Sequence, residues 1–190
     1  MRKTGIMAVT IALIVSFASL GQAQTNLQIG LNAVGGGIGF VNPSGSIGST
    51  ISLAGNAELG TFMNDFHLVG FTQFWRKSYT EQSLWDWSWS EFIVGGGAKY
   101  YFKMQGMPVK PYAGAGLLLA LSHYSWKFTG VSYIWTKEKE SSTNFDIGAQ
   151  IFAGAEYPIN PKMTAYGEFR YHTDGVDFLG IYAGVLYHLK

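Results

Sequence analysis

Apolar and polar positions alternate with a period of two through most of the chain after Gln24. Between Phe145 and Tyr157 the odd positions are Phe145, Ile147, Ala149, Ile151, Ala153, Ala155 and Tyr157. The even positions are Asp146, Gly148, Gln150, Phe152, Gly154 and Glu156. The last segment repeats the pattern, with Leu179, Ile181, Ala183, Val185, Tyr187 and Leu189 opposite Phe178, Gly180, Tyr182, Gly184, Leu186 and His188. A helix would scatter both sets around its circumference, whereas successive side chains of a strand point to opposite faces. The alternation predicts eight strands, at residues 26–41, 50–63, 66–78, 85–103, 107–128, 143–157, 162–172 and 177–189. Pro43, Pro108, Pro111, Pro158 and Pro161 fall in connections or at strand starts, where a residue lacking an N–H is tolerated. Strand three is ambiguous: Phe66, Leu68 and Phe74 on one face are matched by Val69, Phe71 and Trp75 on the other.

Alternation alone does not say which face meets water, but composition does. Only 13% of residues are charged, and there are 25 Gly. A water-soluble barrel needs a charged outer face. Here the polar face is mostly Gly, Asn, Gln, Ser and Tyr, with single charges at Glu58, Glu91, Lys99, Asp146, Glu168 and Arg170. Eight closed strands enclose a lumen that side chains just fill, so Gly relieves crowding and acids must pair with bases. The six charges therefore predict an interior ion-pair network, with a proton or ion path as the functional alternative. The apolar face is left for lipid. Tyr100, Phe102, Tyr157, Tyr171 and Tyr187 near strand ends predict part of an interfacial aromatic belt. Connections near 63–65, 104–107 and 158–161 are short, while 78–84 and 129–142 are long and largely polar. Tight turns at one end and longer loops at the other describe an outer-membrane barrel with both termini on the periplasmic side. The fold class is all-β: a transmembrane antiparallel eight-stranded up-and-down barrel.

Residues 1–23 have a different character. Arg2 and Lys3 precede an apolar run from Ile6 to Leu20, and Gly21-Gln22-Ala23 places small residues at −3 and −1. This predicts a signal peptide cleaved after Ala23, leaving a barrel domain at 24–190 and export to the outer membrane of a Gram-negative bacterium. Cleavage removes two of the 13 basic residues and leaves 11 against 12 acidic ones, a charge near −1. With no basic cluster there is no electrostatic footprint for nucleic acid. The absence of Cys excludes a disulfide scaffold, a thiol nucleophile and Cys-ligated metals.

Three stretches carry a family likeness: Lys110-Pro-Tyr-Ala-Gly-Ala-Gly-Leu-Leu-Leu119, Tyr166-Gly-Glu-Phe-Arg-Tyr-His172 and Gly180-Ile-Tyr-Ala-Gly-Val-Leu-Tyr-His-Leu189. The mature chain resembles the eight-stranded outer-membrane β-barrel superfamily of the OmpA/OmpX type. The resemblance implies outer-membrane lipid and lipopolysaccharide as surroundings. It also implies recognition by the barrel-assembly machinery through the C-terminal strand. The terminal signal of that family usually ends on an aromatic residue, whereas here Leu189 and Lys190 follow Tyr187-His188.

All six Trp lie between positions 75 and 135, at or beyond the loop end of the predicted topology. Trp85, Trp87 and Trp89 alternate with Asp86 and Ser88 and so form a ladder on one face. Tyr124 and Trp126, with Phe128, form a second ladder on the next strand, and Tyr133 and Trp135 follow. Strands three to six are expected to project as a small extracellular sheet, similar to that of OmpX, whose relatives include adhesins. The aromatic residues serve cross-strand packing and interface anchoring, or a binding surface for a host-surface or glycan ligand. Lys137 to Glu140 reads as a solvated turn.

No nucleotide-binding, phosphate-loop, nucleophile-elbow or zincin motif appears, and no cofactor is implied. His67, His123, His172 and His188 are scattered and suggest no metal site; His188 faces inward at the periplasmic end. His123 and Ser125 share a face, an arrangement similar to the His-x-Ser of PagL-type lipid A deacylases, with Glu138 or Glu140 as the third member. Trp126, however, stands where that motif continues with Asn. The residues together favour a non-enzymatic surface protein for contact, adhesion or envelope integrity. Passage of small solutes or ions, and a PagL-like esterase, are the alternatives.

Overall fold

The computed structural model describes residues 28–45, 47–62, 65–81, 84–128 and 139–189. The predicted signal peptide and the Tyr133 and Trp135 positions lie outside these residues. Eight antiparallel strands follow one another around a closed ring: β1 (Gln28–Pro43), β2 (Thr50–Thr61), β3 (Phe66–Glu81), β4 (Trp85–Tyr101), β5 (Lys110–Phe128), β6 (Lys139–Asn160), β7 (Met163–Thr173) and β8 (Phe178–His188). β8 pairs back onto β1, from Ala33↔His188 to Pro43↔Phe178. Every strand thus has two hydrogen-bonded neighbours, which leaves no open edge for hydrocarbon to desolvate.

Most strand ends fall within about three residues of the expected ones, and three connections change. Residues 78–81 are not loop but the end of β3, and β4 begins at Trp85. The predicted 129–142 loop gives up residues 139–142 to β6, so Lys139 and Glu140 pair with Lys127 and Trp126 rather than forming a solvated turn. The 104–107 turn widens to 102–109, because β5 starts only at Lys110. Pro158 falls within β6, next to the register shift between Pro158 and Asn160, where a missing N–H is tolerated.

The ambiguity of strand three is resolved. Phe71, Gln73 and Trp75 are buried in the lumen, while Phe66 and Phe74 face outward and are exposed. The glycines of β4 and β5 make room for the inward rings. A Cβ on Gly95 would run into the Phe71 ring, and one on Gly114 into the Phe152 ring. Gly60, at φ 116°, lies where the β2–β3 register shifts beyond Glu58. The outside carries the apolar set predicted from alternation, including Ile147, Ile151, Leu179 and Ile181, together with the belt residues Phe102, Tyr157, Tyr171 and Tyr187.

β3 to β6 are 16, 17, 19 and 22 residues long, against 11 or 12 for β2, β7 and β8. About 9–11 residues span a bilayer. The surplus therefore projects as a four-stranded ribbon from the end opposite the termini. On its outside, Phe74, Phe92, Leu121 and Phe145 form one row across the four strands. The next row up is Arg76, Ser90, His123 and Thr143. The apolar band ends between these two rows.

Candidate functional site

Strand alternation gives the ribbon two different faces. The inner face continues the lumen side of the barrel. It carries the row Lys77, Trp89, Tyr124 and Ser142, then the row Tyr79, Trp87, Trp126 and Glu140, and then Glu81, Trp85 and Phe128. The two aromatic ladders interlock across β4 and β5. Ring centroids lie 4.4 Å apart for Trp89–Tyr124, 5.2 Å for Trp85–Trp126 and 4.8 Å for Trp85–Phe128. Tyr79 stacks on Trp87 from β3. Trp89, at the base of the ladder, packs against the barrel core. At the top an open cleft of about 450 Å³ is lined by Glu81, Trp85, Trp87 and Trp126. Because these rings face the barrel axis side, they do not point into the surrounding interface. Trp75 differs from the rest of the Trp set: it is 1% exposed, packs against Phe178, and donates from Nε1 to Glu91 at 2.9 Å.

The lumen below is filled in layers. Lys99 lies 2.6 Å from Glu58 and 2.7 Å from Glu156, and the Tyr101 hydroxyl stands within hydrogen-bond distance of both carboxylates, 3.0 Å from Glu58 and 2.8 Å from Glu156. Next, Arg170 pairs with Glu168 and donates from Nη2 to Asn56 at 2.8 Å, while Tyr112 donates to Glu168 at 2.7 Å. Above these, the Tyr182 hydroxyl donates to Gln73, whose amide is 3.1 Å from His172 Nε2, and His172 stacks on Phe178. Only about 30 Å³ of free space remains between the first two layers, room for a water molecule.

The six interior charges predicted from sequence do not form one network. Glu58 and Lys99 meet in one cluster, and Glu168 and Arg170 in another. Glu91 instead accepts from Trp75 and Ser122 near the outer opening. Neither Glu91 nor Asp146 forms an ion pair among the described residues. Glu156 and Tyr101 complete the first cluster and escape the sequence reading, although Glu156 shares its face with Asp146 and Gln150. At the outer opening, in the β7–β8 loop, the Asp174 carboxyl is pushed up to about 6 by burial. The Val176 N–H donating to it at 2.9 Å opposes this shift, and the nearby Asp177 and Asp146 charges add to it.

A family model for the outer membrane protein beta-barrel domain matches residues 10–188. The chain belongs to that family. In solved structures the same barrel recurs. Neisserial surface protein A is 23% identical at a TM-score of 0.60, covering 82% of this chain and 95% of its own. The attachment invasion locus protein Ail of Yersinia pestis, in complex with the heparin analogue sucrose octasulfate, is 18% identical at 0.54, covering 85% and 100%. A major outer membrane protein from Thermus thermophilus is 10% identical at 0.58, covering 83% and 99%. No curated sequence matches the chain significantly. At these identities the likeness shows the fold.

Within this outer-membrane barrel, His123 and Ser125 lie on the outer face of the ribbon, and His123 Nδ1 is 2.9 Å from the Thr143 hydroxyl. Glu140, the described carboxylate the deacylase likeness would enlist, pairs with Trp126 and so projects from the opposite face. The described residues do not assemble that triad. His188 is half-buried, with Nε2 2.8 Å from the Thr164 hydroxyl. Among the described residues no group of acids and histidines is arranged to hold a metal ion.

Proposed function

We propose that this protein is a non-enzymatic cell-surface contact protein: a plugged barrel that anchors an aromatic recognition face above the outer membrane. The observation that carries the reading is the direction of the Trp ladder. Trp85, Trp87 and Trp126 frame an open cleft with Glu81 on the side away from lipid. Indole faces suit sugar rings and apolar patches, and a carboxylate beside them accepts hydroxyl hydrogen bonds. The Ail barrel holding a heparin analogue supports a glycan as one ligand class. The filled lumen supports anchoring rather than passage of solutes. Export belongs to the same reading, with cleavage after Ala23 so that the mature chain begins at Gln24.

The test compares glycan, lipid and matrix-protein binding by the refolded barrel with that of a variant carrying Trp85→Ala, Trp87→Ala and Trp89→Ala. Binding lost while heat-modifiable migration persists assigns recognition to the ladder. Binding equal in both proteins, or absent from both, makes the ladder a packing device only.

A further inference from the structure

On the inner face of the ribbon the two central strands carry indole rings and the two flanking strands carry acids. Glu81 on β3 stands directly opposite Trp85 on β4, and Glu140 on β6 directly opposite Trp126 on β5. Directly opposite residues have Cβ atoms about 4.5–5.5 Å apart, so each acid is within reach of its neighbouring ring. The rings do not make a flat platform. Trp126 is tilted 58° to Trp85 and 39° to Trp87, with centroids 5.2 Å and 6.4 Å away. Tyr79 stacks on Trp87 at 13° and extends that wall. Three indoles inclined to one another thus line the open cleft of about 450 Å³, and the fourth described lining residue is Glu81.

Charge is sorted to match. The inward cation below the cleft, Lys77, is held by the Ser49 carbonyl at 2.9 Å. The outer face of the ribbon is different: Ser78, Ser88, Ser125 and Ser141 form one row, and Thr80, Asp86, Lys127 and Lys139 the next. There the outward acid is matched, since Asp86 stands opposite Lys127 and accepts from Thr80 at 2.7 Å. Glu81 forms no ion pair among the described residues. The cleft therefore combines indole faces with negative charge. A Trp face attracts a cation through its ring quadrupole, more strongly than Tyr or Phe does, and a carboxylate beside it adds to the attraction. A primary ammonium is strongly hydrated and brings three donors, which one carboxylate does not satisfy.

We propose that the Trp cleft binds a quaternary ammonium ion, the trimethylammonium group of a choline-type ligand. Its methyl groups pack on the Trp85, Trp87 and Trp126 faces, and its charge lies toward Glu81. Such an ion has no N–H to satisfy, which suits a cleft that offers ring faces and few acceptors. Free choline and the phosphocholine headgroup of a lipid share this chemistry. The inference rests on the reading of the inner ribbon face as a recognition surface and names the ligand class that the surface selects.

The refolded barrel is titrated in a polyoxyethylene detergent, which presents neither a cation nor a sugar, and binding is read by calorimetry and Trp fluorescence. The probes are choline, ethanolamine, glycerophosphocholine and dimethylbutanol, the uncharged analogue of choline with carbon in place of nitrogen. Choline should bind about fivefold more tightly than the uncharged analogue, the scale of one exposed cation–π contact. Ethanolamine should bind more weakly than choline. Glu81→Gln and Trp126→Leu should each weaken choline binding about threefold to fivefold while heat-modifiable migration persists. Lys127→Gln, on the outer face, should leave it unchanged. Glycerophosphocholine binding as tightly as choline supports a lipid headgroup as the source, and weaker glycerophosphocholine supports a free solute. No saturable choline binding would overturn the proposal, as would equal binding of the uncharged analogue or wild-type binding by both cleft variants. Glycan or matrix-protein binding that depends on the ladder, without any choline binding, would overturn the cation site alone and leave the contact function standing.

Discussion

Lys99 on β4 reaches past β3 to place its ammonium 2.6 Å from the carboxylate of Glu58 on β2. The same ammonium is 2.7 Å from Glu156 on β6. One buried cation thus ties three non-adjacent strands and closes the lumen at its periplasmic end. Replacing Lys99 with Met would leave two buried carboxylates facing each other. The expected loss is about 3–5 kcal/mol, the usual cost of removing one partner from a buried pair. Urea-driven unfolding from vesicles at neutral pH measures it; a loss below 1 kcal/mol would mean that the pair contributes little. The intact barrel should show no steady conductance in planar bilayers. A steady current abolished by Lys99→Ala would make this cluster a conduction site instead of a plug.

The packing of Phe71 against the glycine wall makes a second prediction. Gly95→Val should destabilise the barrel by about 1–3 kcal/mol, since the new side chain overlaps both the Phe71 ring and the Leu117 carbonyl oxygen. Adding Phe71→Ala should recover part of that loss. Because Phe71→Ala alone also costs stability, the reading is the double-mutant cycle: if the two losses simply add, the crowding does not come from this contact.

The Trp ladder should divide along its length. Trp89 packs on both Tyr124 and the core, so Trp89→Ala should cost about 1–3 kcal/mol of stability. Trp85 sits at the cleft, and Trp85→Ala should cost less than about 1 kcal/mol while reducing ligand binding. Thermal midpoints of the two single variants decide this. The reverse order would place recognition at the base of the ladder.

Asp174 should give stability a characteristic pH dependence. Its carboxyl titrates near 6 in the folded protein against an ordinary 3.8, so the folded state binds the proton more tightly. Stability should then fall as pH rises from about 4 to about 6 and level off above that. Asp174→Asn keeps an oxygen for the Val176 N–H and removes the charge. It should be at least as stable as wild type at pH 7 and should flatten the slope. An unchanged slope would assign that dependence to another group.

Period-two alternation, low charge and abundant Gly are local properties of the chain. They were enough to read eight lipid-facing strands, the inward placement of Glu58, Lys99, Glu168 and Arg170, and the grouping of the described Trp residues toward one end. A strand needs only its own neighbours to show which side chains share a face. The ribbon's full length was not legible, because Ser141, Ser142 and Thr143 have loop-like polarity. Backbone pairing is indifferent to that polarity once β5 offers a free edge outside the membrane. The orientation of β3 was equally hidden, since both its faces are apolar and only the glycines of β4 and β5 favour Phe71 inside. Register and barrel stagger decided the rest. They brought Glu156 and Tyr101 to Lys99, left Glu91 with Trp75, put Glu140 on the opposite face from His123, and aligned four serines from four strands. Such contacts depend on residues far apart in the chain, and a one-residue slip in any strand would turn every side chain to the other face.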